Sequence, residues 1–175
     1  MEAAACVLAM FNEPQMIKQV IKNSIKEGFK HIDCAKLYSG IPEEQIGQAI
    51  KEALQMYNVK REEIYITSSL RDIPSHTIML EKGENTVKQE YEELIGNQCT
   101  SSLKQLGVEY LDLLLVNYDA DDEERFKNIW CAMENLVDQG LVKSIGVNNI
   151  SVLEIHEMLS WARIRPVCPY PSNTL

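Results

Sequence analysis

Residues 130–149 read WCAMENLVDQGLVKSIGVNN, and this stretch decides the fold class. Apolar residues at Trp130, Met133, Leu136 and Val137 have the spacing of one helix face, which Phe126 and Ile129 extend upstream. Gly140 follows the last periodic residue, where a helix stops. Ser144-Ile145-Gly146-Val147 is then a short strand. A helix, a stop and a strand in immediate succession form part of a βαβ unit.

The same alternation runs outward in both directions. Upstream, Leu111 to Val116 is a near-continuous apolar run, which suits a strand buried on both faces of a parallel sheet. A helical period from about Thr86 to Leu106 precedes it and ends at Gly107. Ile64 to Ser68 is rich in β-formers. Pro42, Glu43 and Glu44 open another helix, with proline in the first turn and acids at the positive end of the dipole. Ile46, Ile50 and Leu54 give that helix a buried face. His31 to Ala35 is a short strand. From Gln15 to Glu27 a helical face is built from Met16, Ile17, Val20, Ile21 and Ile25, and Gly28 ends it. Cys6 to Met10 is a weak first strand. Downstream, Ser151 and Glu154 have capping-box spacing, and Arg165 to Cys168 begins one more strand.

The pattern amounts to about five βα units in one α/β domain spanning 1–175, with a parallel sheet and helices outside it. Spacing alone does not separate a partial barrel from an open doubly wound sheet. No GxGxxG follows any strand, which argues against a Rossmann nucleotide site. The segment from Arg71 to Asn85 is long for a βα loop, and the region 71–98 that it opens is expected to be an inserted or mobile loop region.

Composition narrows the function classes. The chain has 45% apolar and 25% charged residues, a soluble globular balance, and its net charge is −9. No basic stripe is present, which excludes a nucleic-acid partner. No run of 18 apolar residues exists, so no transmembrane helix is expected. The N-terminus has no basic residue before its apolar stretch, so a signal peptide is not expected. Five widely spaced cysteines, with no CxxC, fit a reducing cytoplasm better than a disulfide or zinc framework. His76 and His156 have no metal-like neighbours. The acidic run Asp119, Asp121, Asp122, Glu123 and Glu124 reads as a loop leading into a helix N-terminus.

Two segments then carry a resemblance. His31-Ile32-Asp33-Cys34-Ala35-Lys36-Leu37-Tyr38, followed by residues 43–50 (EEQIGQAI), resembles the signature of the aldo-keto reductases. Residues 130–149 resemble the same family's segment from its fourth helix to its fifth strand. Residues 102–107 (SLKQLG) and 110–116 (YLDLLLV) are similar as well. The similarity runs from Met16 to Pro166 and is interrupted from Arg71 to about Gln98. It implies a (βα)8 TIM barrel, with the site at the C-terminal ends of the strands.

The resemblance also implies NADPH as cofactor, a small carbonyl substrate and an Asp-Tyr-Lys-His tetrad. In that tetrad Tyr protonates the carbonyl oxygen, Lys held by Asp favours the phenolate, and His polarises the carbonyl. Asp33 and Tyr38 match. The family's Lys is replaced by Ser69 and its His by Asn117. The Ser-Asn pair that holds the nicotinamide amide reads Asn148-Asn149. The expectation is therefore little or no reductase activity. A neighbouring cation such as Arg71 or Lys36 is a candidate substitute for the lysine. A barrel typically needs about 250 residues, so the chain is expected to be a barrel's N-terminal part. Its open sheet edges would then be covered by a homo- or hetero-oligomer. Reduction completed by such an assembly, and a non-catalytic regulatory subunit, are the alternatives.

Overall fold

A computed structural model describes residues 5–7, 14–35, 42–75 and 86–167. Among them the strands are β1 (Ala5–Val7), β2 (His31–Asp33), β3 (Tyr65–Ser69), β4 (Leu111–Asn117) and β5 (Val142–Asn148). The helices are α1 (Pro14–Lys26), α2 (Glu43–Tyr57), α3 (Val87–Leu106), α4 (Glu123–Asp138) and α5 (Val152–Trp161). The strands form a sheet in the order β1-β2-β3-β4-β5. This strictly sequential order fits successive βα units of a barrel and has no reversal of the kind that marks a doubly wound sheet. The pairs β1–β2 and β2–β3 are parallel, with Asp33 opposite Thr67.

The chain divides into two compact units. One comprises Met1–Ser69 with Ser101–Leu113, and the other Leu70–Thr100 with Leu114–Leu175.

In the first unit α1 lies against α2. Ile17, Ile21 and Ile25 are buried, while Met16 is 48% exposed and lies off the buried face that the spacing assigned it. Lys18 and Lys22 both reach Glu52 on α2, at 2.8 and 3.0 Å. Leu111 and Asp112 open β4 inside this unit, and both are buried. The buried Asp112 carboxylate is met by Arg61 Nη2 at 2.7 Å and by the Ile66 N–H at 3.0 Å. Arg61 also donates to the Tyr110 and Ile64 carbonyls, each at 2.9 Å, and its guanidinium lies 4.2 Å over the Tyr110 ring.

In the second unit the core gathers around Phe126, Trp130, Met133 and Leu136 of α4 with Ile145 and Val147 of β5. Burying each such side chain contributes about 1.5–3 kcal/mol. Ser151 and Glu154 form the expected capping box on α5. Val167 bridges Gly146 in parallel fashion, the start of the expected further strand. The rest of that strand lies outside the described residues, as do residues 8–10 of the first. The region expected to be an inserted or mobile loop, 71–98, is irregular over 71–75 and helical from Val87 onward. The i, i+4 series Val87, Tyr91, Ile95 and Cys99 is buried and holds this helix in place. Residues 76–85 lie outside the described residues.

Gly47 on α2 sits where a Cβ would run into the Leu106 backbone. Alanine is the better helix former by about 1 kcal/mol, but here the neighbour is backbone and cannot swing away. Gly47→Ala is therefore expected to destabilise the chain by about 2 kcal/mol or more, read as a lower urea midpoint. A raised midpoint would show that α2 does not approach Leu106 so closely.

Candidate functional site

Four of the singled-out residues are the last residues of their strands. In the first unit β2 ends on Asp33 and β3 ends on Ser69. In the second unit β4 ends on Asn117 and β5 on Asn148. Asn149 follows with φ 57°, a left-handed conformation that asparagine tolerates. Tyr38 and Lys36 lie outside the described residues.

Asp33 is buried, and its Oδ1 accepts the Ala35 N–H at 2.9 Å. The Cys34 N–H donates to the Thr67 carbonyl at 2.8 Å, which ties the end of β2 to β3. The Ser69 hydroxyl oxygen is buried and has no hydrogen-bond partner among the described residues. Beside it in sequence, Ser68 donates to Glu43 at 3.0 Å, and Glu43 is a buried carboxylate in the first turn of α2. Local pattern assigns Glu43 only a role at the helix dipole. Its contact with Ser68 spans 25 residues and leaves no local pattern.

Asn117 and Asn149 are exposed, and Asn149 Nδ2 donates to Asn117 Oδ1 at 3.4 Å. Asn148 is buried, its carbonyl accepts the Tyr118 N–H at 2.9 Å, and its Oδ1 has no partner among the described residues. A buried acceptor without a partner beside two exposed amides fits a neutral group with both N–H and C=O, such as a carboxamide. Arg71 belongs to the second unit, where its backbone N–H and C=O both bond the Gln98 side chain, at 3.1 and 2.7 Å. Gln98 and Arg125, neither singled out in the sequence, both hold the chain just after β3. Of the five cysteines, Cys34 and Cys99 are buried, and burial pushes the Cys99 thiol up to about 11. No metal-binding cluster occurs among the described residues, and no described helix is long and apolar enough to cross a membrane.

With this geometry in view, the comparisons are specific. The Aldo/keto reductase family model matches residues 9–174, and the chain belongs to that family. It is similar to aldose reductase B of Dictyostelium discoideum, at 31% identity over 173 residues, covering 86% of this chain and 50% of that protein. It is 34% identical to aldo-keto reductase family 1 member A1 of Rattus norvegicus over 174 residues, covering 89% and 48% respectively. The chain thus spans about half the length of these curated relatives. Among solved structures, an aldo-keto reductase of Bombyx mori in complex with NADP superposes with a TM-score of 0.73 at 27% identity, covering 95% of this chain and 53% of that one. Aldose reductase from Giardia lamblia gives 0.72 at 29%, covering 94% and 55%. The fold is accordingly α/β with a parallel sheet, corresponding to about half of an aldo-keto reductase (βα)8 barrel.

His31, two residues before Asp33, has Nε2 2.8 Å from Thr67 Oγ1 and stacks edge-on against Tyr65. Burial pushes its imidazole below the ordinary value of 6.5, against the opposing pull of Asp33 and Asp112. The unfolded chain therefore binds this proton more readily than the folded one. Stability is expected to fall as pH drops through the unfolded value of about 6.5, levelling off below the folded one. Urea midpoints at about pH 8 and about pH 5.5 test this, because His31→Gln should shrink the difference between them. An unchanged difference would assign the pH dependence to other groups.

Proposed function

We propose that this chain is an aldo-keto-reductase-like protein with an incomplete catalytic tetrad and little or no reduction of aldehydes or ketones. The observation that carries this reading is Ser69. It ends β3 with a hydroxyl that is buried and bears no charge at neutral pH. In the tetrad implied by the family, Tyr38 would deliver the proton to a small carbonyl substrate. A tyrosine with a pKa of about 10 gives up its proton readily only beside a positive charge. Losing one positioned electrostatic partner costs roughly 10²- to 10³-fold in rate. Asp33 would keep its place as the acid that orients a cation, and Asn117 would offer the carbonyl a neutral hydrogen bond in place of histidine.

NADPH is the cofactor proposed, and when bound it supplies hydride. Asn148 Oδ1 and the Asn149 amide would hold its carboxamide, which fits the partnerless acceptor on Asn148. That fit also favours a second reading, an NADPH-dependent carbonyl reductase completed by self-association or by a partner chain. A non-catalytic regulatory or interaction subunit is the third reading, and a stable complex in size-exclusion chromatography would support it. Five widely spaced cysteines with no CxxC fit a cytoplasmic protein.

An NADPH fluorescence titration of the purified chain, followed by aldehyde-dependent NADPH oxidation, tests the proposal. The native chain is expected to turn over no faster than Tyr38→Phe, while Ser69→Lys should raise the rate. Native turnover that Tyr38→Phe abolishes would overturn the proposal in favour of the second reading.

A further inference from the structure

Residues 71–75 follow β3 without regular secondary structure, yet side chains grip their backbone from several directions. The Gln98 amide accepts from the Arg71 N–H and donates to the Arg71 carbonyl. Tyr91 donates its hydroxyl to the Pro74 carbonyl at 3.4 Å. Arg125, in the first turn of α4, donates Nη2 to the Ile73 carbonyl at 2.8 Å and Nε to the Pro74 carbonyl at 3.0 Å. Its remaining arm, Nη1, pairs with Asp119. Asp119 in turn accepts the Asp121 N–H at 3.2 Å and so shapes the loop after β4. The Arg125 backbone is fixed as well, because its N–H donates to the Asp122 side chain that caps α4. All these groups belong to the second unit.

One guanidinium thus holds two loops, the one after β3 and the one after β4. Only arginine can do this. Its planar fork carries several donors in fixed directions, whereas lysine supplies a single point charge. Charge-assisted hydrogen bonds are also the stronger kind, and Arg125 is shielded, with its side chain 19% exposed.

We infer that Arg125 is a clasp that couples the segment after β3 to the loop after β4. It is a positioning residue for the strand-end residue Asn117, which the second of these loops follows. The functional meaning rests on the site proposed above. The coupling itself does not, and it can be read with no nucleotide present.

Hydrogen exchange of the full chain tests the coupling. Arg125→Ala is expected to speed exchange roughly tenfold or more, both over 72–75 and over 118–122, with β5 amides unchanged as the internal reference. Arg125→Lys keeps the charge beside Asp119, so it should release 72–75 and leave 118–122 protected. Faster exchange in only one loop of Arg125→Ala, or equally in β5, would overturn the clasp. Full protection of 72–75 in Arg125→Lys would do the same, and that variant carries the test if Arg125→Ala does not fold. Failure of NADPH binding with coupled exchange intact would count against the proposed function alone.

Discussion

The carboxylate of Asp112 lies in β4, a strand whose residues from Leu111 to Val116 are all buried. A charge in that position is tolerated only when it is paired and hydrogen-bonded, and removing one partner of such a pair costs roughly 3–5 kcal/mol. Arg61 supplies the pairing charge and the Ile66 N–H a further bond. Arg61 lies in the short 3-10 turn Arg61–Glu63 that leads into β3, and Ile66 is the second residue of that strand. The contact therefore fixes β3 at the end opposite Ser69. Arg61 is itself braced by two carbonyls and the Tyr110 ring, so the pin is rigid. Within the first unit, the β2–β3 register that sets Asp33 opposite Thr67 builds on a β3 held in this way.

Much of the fold was legible because burial imposes a period. The apolar run of β4, the faces of α2 and α4, the glycine stops and the capping box of Ser151 and Glu154 are local signals, and the described elements fall where those signals lie. Met16 falls off the expected helix face for a physical reason. A period locates the stripe, but the edge of the stripe is decided by what packs against it. The pairing of Asp112 with Arg61 spans 51 residues and could not be read from spacing.

The site was legible in a different way. Resemblance singles out Asp33, Ser69, Asn117 and Asn148, and each stands at the end of a strand. Their surroundings were not legible. Glu43 on Ser68 joins two distant side chains, while Gln98 on Arg71 and Arg125 on Ile73 and Pro74 join distant side chains to irregular backbone. Such contacts have no period and no fixed offset. They are set by where two loops meet, which the fold decides and a linear reading does not contain. Tyr38, the residue on which the chemistry would turn, lies outside the described residues.

On the proposed reading, holding a cofactor and delivering a proton become separable properties. An amide recognises a carboxamide through neutral hydrogen bonds, and Asn148 and Asn149 can supply these without any charge nearby. Proton delivery by a tyrosine is different, because the phenolate left behind is an anion that needs a cation close to it. Serine at position 69 cannot provide one, and the two asparagines cannot either. The chain also carries a net charge of −9, whose field opposes both a phenolate and an incoming nucleotide phosphate, although salt screens it beyond about 10 Å. Loss of one positive charge at the end of β3 therefore weighs most on the chemical step, and least on recognition of a neutral amide at the end of β5.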